Sequence, residues 1–234
     1  MRFSFFKSFF DAASVLADLV FPVSCAACDK IISRKCFQVC DKCLESIFYI
    51  NGSAAFDDIV CPEICGFYSL GFYEGTLKKL IAAFKYNKKK KLAAFFVNEA
   101  VRRSGGNFLP GPVSGFDVLI PVPIHESKLK ERGFNQSELL ACEISKVCGI
   151  EVCHDAVFRK KETLEQNKLN YDERFNNLLG AFEINYKKVY QIKRKNVIIV
   201  DDIITTGATV KSLAALLKAH GAANIFVISV ARTK

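Results

Sequence analysis

No apolar run in this chain of 234 residues approaches the roughly 20 residues that a membrane-spanning helix needs. The familiar phosphate-gripping loops are missing as well: there is no G-x-x-x-x-G-K-[ST], and no G-x-G-x-x-G follows a strand-like run. At the N-terminus Asp11 and Asp18 interrupt an aromatic-rich stretch, and no small-residue cleavage site is evident. Ten cysteines in an exported chain of this size would imply a disulfide framework. The expectation is instead a cytoplasmic protein with reduced thiols and no stable membrane insertion.

Half of the residues are hydrophobic, enough to build one large domain or a main domain with a small appendage. The formal net charge of +9 points to an anionic partner, a demand that a phosphorylated substrate and a nucleic acid both satisfy. Phe5, Phe9, Ala12, Ala13, Leu16 and Val20 recur near helical spacing, so residues 1–20 read as an amphipathic helix docked on the body. Contact with a membrane surface is the alternative.

Cys25-x-x-Cys28 is followed after eleven residues by Cys40-x-x-Cys43. Two knuckles at that distance place four thiolates at the corners of a tetrahedron, the ligand set of structural zinc. A short segment with little core of its own gains folding energy from such a metal, and residues 21–66 are assigned to this module. Cys61-x-x-x-Cys65 is either a third knuckle or a pair of core residues, and Cys36 adds a further candidate. Cys142, Cys148 and Cys153 sit in apolar contexts and read as packing residues.

The richest stretch is Asn196 to Thr209, NVIIVDDIITTGAT. Asn196 to Val200 has the continuous apolar character of a strand buried on both faces, and helical spacing begins at Ala208. Asp201 and Asp202 are therefore expected to leave a strand at its carboxyl end, where open α/β sheets bind ligands. The amides of Thr205, Thr206, Gly207, Ala208 and Thr209 open a helix and suit a phosphate. A surface turn with Asp as a helix cap accounts for one acid but not for the whole run. The stretch resembles the motif that binds 5-phosphoribosyl 1-pyrophosphate (PRPP) in type I phosphoribosyltransferases.

Elsewhere, Leu77, Leu80, Ile81 and Phe84 form a helical stripe that ends in Lys85-Tyr86-Asn87 and the run Lys88 to Lys91. Lys85, Tyr86, Lys88, Lys89 and Lys90 are candidates for gripping a nucleic-acid backbone and stacking on bases, although lysine runs also form solvated turns between helices. Residues 104–115 read as a glycine- and proline-rich loop. Phe116 to Ile120 reads as a buried strand with an extended exit through Pro123, followed by a donor-rich loop from His125 through Arg132 to Gln136. His125 could be catalytic, yet a lone histidine in a basic loop is more often a phosphate contact or a bystander. Another strand is expected at Gly149 to Cys153, and one more at Asn224 to Val230. The polar stretch from Phe158 to Phe182, with Arg159 and Arg174, reads as a mobile lid or as a solvated helical excursion. This succession predicts a mostly parallel sheet with crossover helices over residues 67–234.

Taken together, the two knuckles, Pro121-Val122-Pro123, Arg132-Gly133-Phe134-Asn135-Gln136, Gln166 with Arg174, Asn177 with Gly180-Ala181-Phe182, and Asp201-Asp202 with Thr206 to Thr209 resemble the ComF family over nearly the full length. The resemblance implies a zinc ribbon joined to a type I phosphoribosyltransferase-like fold. It also implies a role in natural transformation, with single-stranded DNA and a helicase-like competence protein as partners. By the same resemblance Asp201 and Asp202 bind the ribose hydroxyls of PRPP, and Thr205, Thr206, Gly207, Ala208 and Thr209 hold its 5′-phosphate. The loop from Pro123 to Arg132 takes the pyrophosphate with Mg²⁺, and Arg159 or Arg174 supplies a closing positive charge. No segment marks a hood for recognising a base. A metabolic phosphoribosyltransferase for a nucleobase-like acceptor and a non-catalytic PRPP sensor remain the other readings.

Overall fold

The structure, a computed structural model, describes residues 22–32, 38–50, 61–105, 115–160 and 180–234. In chain order the elements are α1 (Asp41–Glu45), β1 (Gly66–Phe72), α2 (Gly75–Tyr86), α3 (Leu92–Arg103), β2 (Val118–Pro121), α4 (Glu126–Arg132), α5 (Gln136–Cys148) and β3 (Glu151–Val152). They continue as β4 (Val157–Arg159), β5 (Phe182–Ile184), a 3₁₀ helix (Tyr186–Gln191), β6 (Val197–Ile204), α6 (Ala208–Ala219) and β7 (Ile225–Arg232). Five strands form a parallel sheet in the order β1-β7-β6-β2-β3, with β6 at its centre.

The period-2 geometry of β6 decides the layering. Ile198 and Val200 join the core beneath α2, α3 and α5, whereas Val197 and Ile199 join the core on the α6 side. A strand covered on both faces must be apolar throughout, which is why this run reads without alternation. Both cores are apolar: Leu77, Leu80, Ile81 and Phe84 of α2 meet Phe96 of α3 on one side, and Val210, Leu213 and Leu217 of α6 fill the other.

Edge strand β1 carries no strong periodic signal, because Gly66 and Gly71 interrupt it. Gly71 has a reason to be there. A Cβ at this position would lie 2.6 Å from the carbonyl oxygen of Phe48, so only glycine lets the cysteine-bearing segment pair alongside. Phe72 N–H donates to Phe48 O at 3.0 Å, and Ile50 N–H donates to Leu70 O at 3.1 Å. Cys25, Val39, Cys40, Cys43 and Ile47 thereby share one hydrophobic cluster with α2 and α3.

The mostly parallel sheet flanked by helices is the α/β class expected from the sequence. Four details differ. β1 adds an edge strand that the glycines concealed. β6 runs on through both aspartates to Ile204, because its pairing with β7 continues to Arg232. The donor-rich loop folds into α4, capped by Gly133 with φ 77°. The two ends of the polar 158–182 stretch form an antiparallel ribbon, β4 on β5, with Arg159 opposite Phe182. The N-terminal helix expected at 1–20, Cys36, most of the 104–115 loop, and the stretch 161–179 with Gln166, Arg174 and Asn177 lie outside the described residues. Among those described, no helix is long and apolar enough to cross a membrane.

Candidate functional site

Asp201 and Asp202 line a cleft of about 260 Å³ at the carboxyl end of the sheet. The Arg132-to-Ser137 corner builds its wall from short-range rules. Gly133 ends α4, and Asn135 caps α5 by accepting from Ser137 N–H at 3.0 Å, while its Nδ2 donates to Val122 O at 3.0 Å. This double use of Asn135 pins the exit of β2 to the start of α5. Phe134 packs into the core against Phe84, ring centroids 5.8 Å apart. With the corner fixed, Ser137 Oγ donates to Asp201 Oδ1 at 3.1 Å.

The second acid has a different partner. Asp202, 7% exposed, forms an ion pair with Lys85 of α2 at 2.9 Å. Burial works against the Lys85 charge, but Asp202 and then Asp201 outweigh it and hold the ammonium above its usual pKa. Lys85, Lys128, Arg132 and Arg159 all line the cleft beside the two carboxylates, leaving it with an excess of two positive charges for a polyanion. Arg132 Nη1 donates to Gln136 Oε1 at 3.2 Å. Arg132 Nε and Gln136 Nε2 are buried and have no hydrogen-bond partner among the described residues. Turning the Gln136 amide over would set its NH₂ against the guanidinium, so the orphan must be a donor. Buried donors left unsatisfied cost about 1–3 kcal/mol each, and in a cleft wall they fit a ligand that brings acceptor oxygens.

Burial, and then repulsion from Asp202, push the pKa of Asp201 up to about 7. The unfolded chain releases the corresponding proton near pH ~4. From about pH 4 to about pH 7 folding therefore takes up a proton, and stability falls with rising pH through that window before levelling off. Asp201→Asn is expected to raise the melting temperature more at pH 8 than at pH 5. Equal shifts at both pH values would show that Asp201 titrates normally.

Beyond the acids, Gly207 occupies the left-handed region at φ 73° and turns the chain into α6, a conformation that disfavours a side chain. Thr206 Oγ1 accepts from Ala208 N–H at 3.5 Å, and Thr205 O accepts from Thr233 Oγ1 at 3.1 Å. The loop is thus braced by the end of β7. Its first-turn amides have no intrahelical acceptor by construction, and Thr205 and Thr209 also line the large cleft. The structure brings together Asp201, Asp202, Arg159, Arg132, Thr205 and Thr209 around one space. Pro123 sits between Val122 and Ile124, which both line it.

The candidate nucleic-acid residues divide. Lys85 and Tyr86 line the cleft, with the Arg132 guanidinium 5.4 Å from the Tyr86 ring centroid. Lys90 Nζ lies 5.0 Å from the centre of the Phe134 ring. Lys88 and Lys89 remain on the turn between α2 and α3, Lys88 with φ 53°. His125 caps α4, its Nδ1 accepting from Ser127 N–H at 3.3 Å. Ser137 was not singled out in the sequence, Gln136 figured there only as the end of the donor-rich loop, and Lys85 was read as part of the lysine run. The signal for Lys85 was present: it falls four residues after Ile81, on the edge of the stripe that α2 buries.

The Sγ atoms of Cys25, Cys28, Cys40 and Cys43 all lie within 4.8 Å of one another. Cys28 and Cys40 are 3.7 Å apart, close to the ~3.8 Å edge of a tetrahedron with Zn–S bonds of about 2.3 Å. Burial raises the Cys25 pKa, but N–H groups of Cys40, Ala27 and Cys28 outweigh it and bring the thiol to about 6. Cys43 moves the other way, far above the usual range, through burial and its sulfur neighbours. A divalent cation relieves that conflict, so the cluster can hold a metal such as zinc. Among the described residues Cys61 and Cys65 stand outside it.

Residues 136–234 match the family model described as the phosphoribosyl transferase domain. Three curated relatives extend the likeness. The DNA utilization protein YhgH of Escherichia coli (strain K12) is 32% identical over 167 residues, 69% of this chain and 69% of that protein. Competence protein F of Haemophilus influenzae is 29% identical over 223 residues, 89% of this chain and 90% of its own. Competence protein ComFC of Streptococcus pneumoniae is 24% identical over 213 residues, 89% and 87% of the two chains.

Proposed function

The chain belongs to the ComF family, competence-related proteins with a phosphoribosyltransferase-like domain, and from that premise we propose that its cleft binds PRPP with Mg²⁺. The observation that carries this reading is the acid pair in the carboxyl half of the central strand, in a cleft that Arg132, Thr205 and Thr209 also line. Asp201 and Asp202 accept hydrogen bonds from the vicinal ribose hydroxyls, and the Thr205, Thr206, Gly207, Ala208 and Thr209 loop holds the 5′-phosphate at the α6 N-terminus. Arg132 and Gln136 offer their buried donors to pyrophosphate oxygens.

Chemistry at this site is displacement at C1 of the ribose. The bond from C1 to the pyrophosphate oxygen breaks with its electron pair leaving on pyrophosphate, and an acceptor's lone pair forms the new bond to C1. Cationic side chains stabilise the departing charge and no protein nucleophile is needed. Mg²⁺ bound with the pyrophosphate would neutralise part of that charge, and the two carboxylates are the oxygen donors that suit it. Arg159, held beside Asp201 and 5.5 Å from the centre of the Phe182 ring, is a candidate for the closing charge. Arg174 is assigned the same role on sequence grounds alone.

In this reading zinc occupies the four-cysteine cluster, residues 21–66 form its module, and 67–234 form the phosphoribosyltransferase-like domain. The net charge of +9 and the names of the competence relatives support single-stranded DNA as a second ligand handled in the cytoplasm, next to a helicase-like competence protein. The test is thermal unfolding with PRPP and Mg²⁺. The wild-type protein is expected to gain about 2.7 kcal/mol at a PRPP concentration 100 times Kd, and Asp201→Asn/Asp202→Asn is expected to show no such gain. An unchanged shift in that variant removes the acids from the site.

A further inference from the structure

At the opposite edge of the sheet, where the strands begin, the 3₁₀ helix Tyr186–Gln191 leads through a tight turn into β6. Tyr186 and Tyr190 are 75% and 68% exposed, more than any other large hydrophobic side chain among the described residues. The backbone beneath them is firmly held. Ile192 is fully buried, and Asn185 caps the helix by accepting from Lys187 N–H at 3.2 Å while its Nδ2 donates to Asp155 O at 2.9 Å. Cys153 Sγ donates to Gln191 Oε1 at 2.8 Å. Arg194, at φ 62°, is fixed by its N–H donating to Gly221 O at 2.7 Å. Tyr186 leans on His220 in an edge-to-face contact, ring centroids 5.7 Å apart. At three residues per turn Tyr186 and Tyr190 stand about 120° apart around the 3₁₀ helix, so the braced scaffold presents each ring to a separate base.

The charge around them has one sign in excess. Asp155 is paired with Lys188 at 3.6 Å, Asp117 with Lys195 at 3.2 Å, and Glu183 with Lys160 at 3.1 Å. Lys187, Lys193 and Arg194 are exposed and make no ion pair among the described residues. Aromatic rings interleaved with such cations match a single-stranded nucleic acid, whose bases stack while its phosphates pair. A duplex hides its base faces, and an acidic protein offers few rings to stack.

We propose that this face is a binding site for single-stranded nucleic acid, with bases stacked on Tyr186 and Tyr190 and the backbone running along Lys187, Lys193 and Arg194. The proposal rests on the single-strand reading above and gives it a surface. That surface lies at the start of β6, and Asp201 is four residues along the strand from Val197, or about 13 Å. A strand and PRPP can then be held at once.

The test is fluorescence anisotropy of a labelled oligothymidylate with the full chain. Tyr186→Ala/Tyr190→Ala is expected to weaken binding about thirtyfold, the low end for two lost stacking contacts. Tyr186→Phe/Tyr190→Phe should bind like wild type, and the PRPP-induced melting shift should be unchanged in both variants. Lys187→Ala/Lys193→Ala/Arg194→Ala should flatten the salt dependence, while Lys88→Ala/Lys89→Ala should leave affinity as it was. Loss of affinity in the Lys88/Lys89 variant with retention in the tyrosine variant moves the strand to the α2–α3 turn, overturning this surface but not the ligand. Equal affinity for a duplex overturns the stacking. No binding by wild type overturns the surface and the single-strand reading together.

Discussion

Lys85→Met is expected to cost about 3–5 kcal/mol, the usual loss when one partner of a buried ion pair is removed. Lys85 and Asp202 expose only 17% and 10% of their side chains, so little solvent screens the pair and little can replace the missing partner. The carboxylate left behind would share a confined space with Asp201, whose pKa is already about 7. In a domain of this size the loss corresponds to a fall of very roughly 10 °C in melting temperature. Lys85→Met/Asp202→Asn should recover much of it, because two neutral groups no longer leave a charge uncompensated. A strictly additive double variant would mean that the two residues are not coupled, and Lys85 would lose its place in the site. The coupling also bears on the proposed ligand: Lys85 makes the direct ion pair with Asp202. A substrate–metal complex that engages Asp202 must share the carboxylate with Lys85 or displace it.

Cys40→Ser should reduce bound zinc from about one per chain to near zero, since a tetrahedral thiolate site loses its closure with one ligand. The effect should reach beyond the metal. Structural zinc contributes on the order of 10 kcal/mol to the folding of small modules, and Cys25, Cys40 and Cys43 belong to the cluster that also holds Leu77, Leu80, Phe84 and Phe96. Loss of the metal should therefore loosen the cover over α2 and α3 and expose residues 22–50 to limited proteolysis. Cys61→Ser and Cys65→Ser serve as controls, expected to keep both metal and protease resistance. Full zinc content in Cys40→Ser, measured by metal analysis of the purified chain, would move the ligands elsewhere.

Several elements were legible without coordinates because their signals are local. The strand before the acids is a run of β-branched residues, and the T-T-G-A-T turn carries its glycine where a left-handed φ occurs. The two cysteine pairs are close in sequence, and the chain need only return once to bring their sulfurs together. Lysines misled for the opposite reason: Lys85 looks like the first member of a basic run, yet α2 rotates it onto the buried face while Lys88 stays outside. No pattern within residues 85–91 separates the two fates.

By itself the amino-acid sequence determined the mostly parallel α/β class, the central strand with its acids, the glycine turn into α6 and the four-sulfur set, all properties of short-range periodicity and spacing. Tertiary structure alone decided that Lys85 and Ser137 serve the acids, that Gly71 admits the cysteine segment against the edge strand, and that Tyr186 and Tyr190 are left uncovered. Those outcomes depend on which surfaces meet once the sheet is covered, and the partners involved are separated by 64 residues in Ser137–Asp201 and by more than a hundred in Lys85–Asp202. Contacts at such separations are set by packing of whole elements, which no one segment fixes.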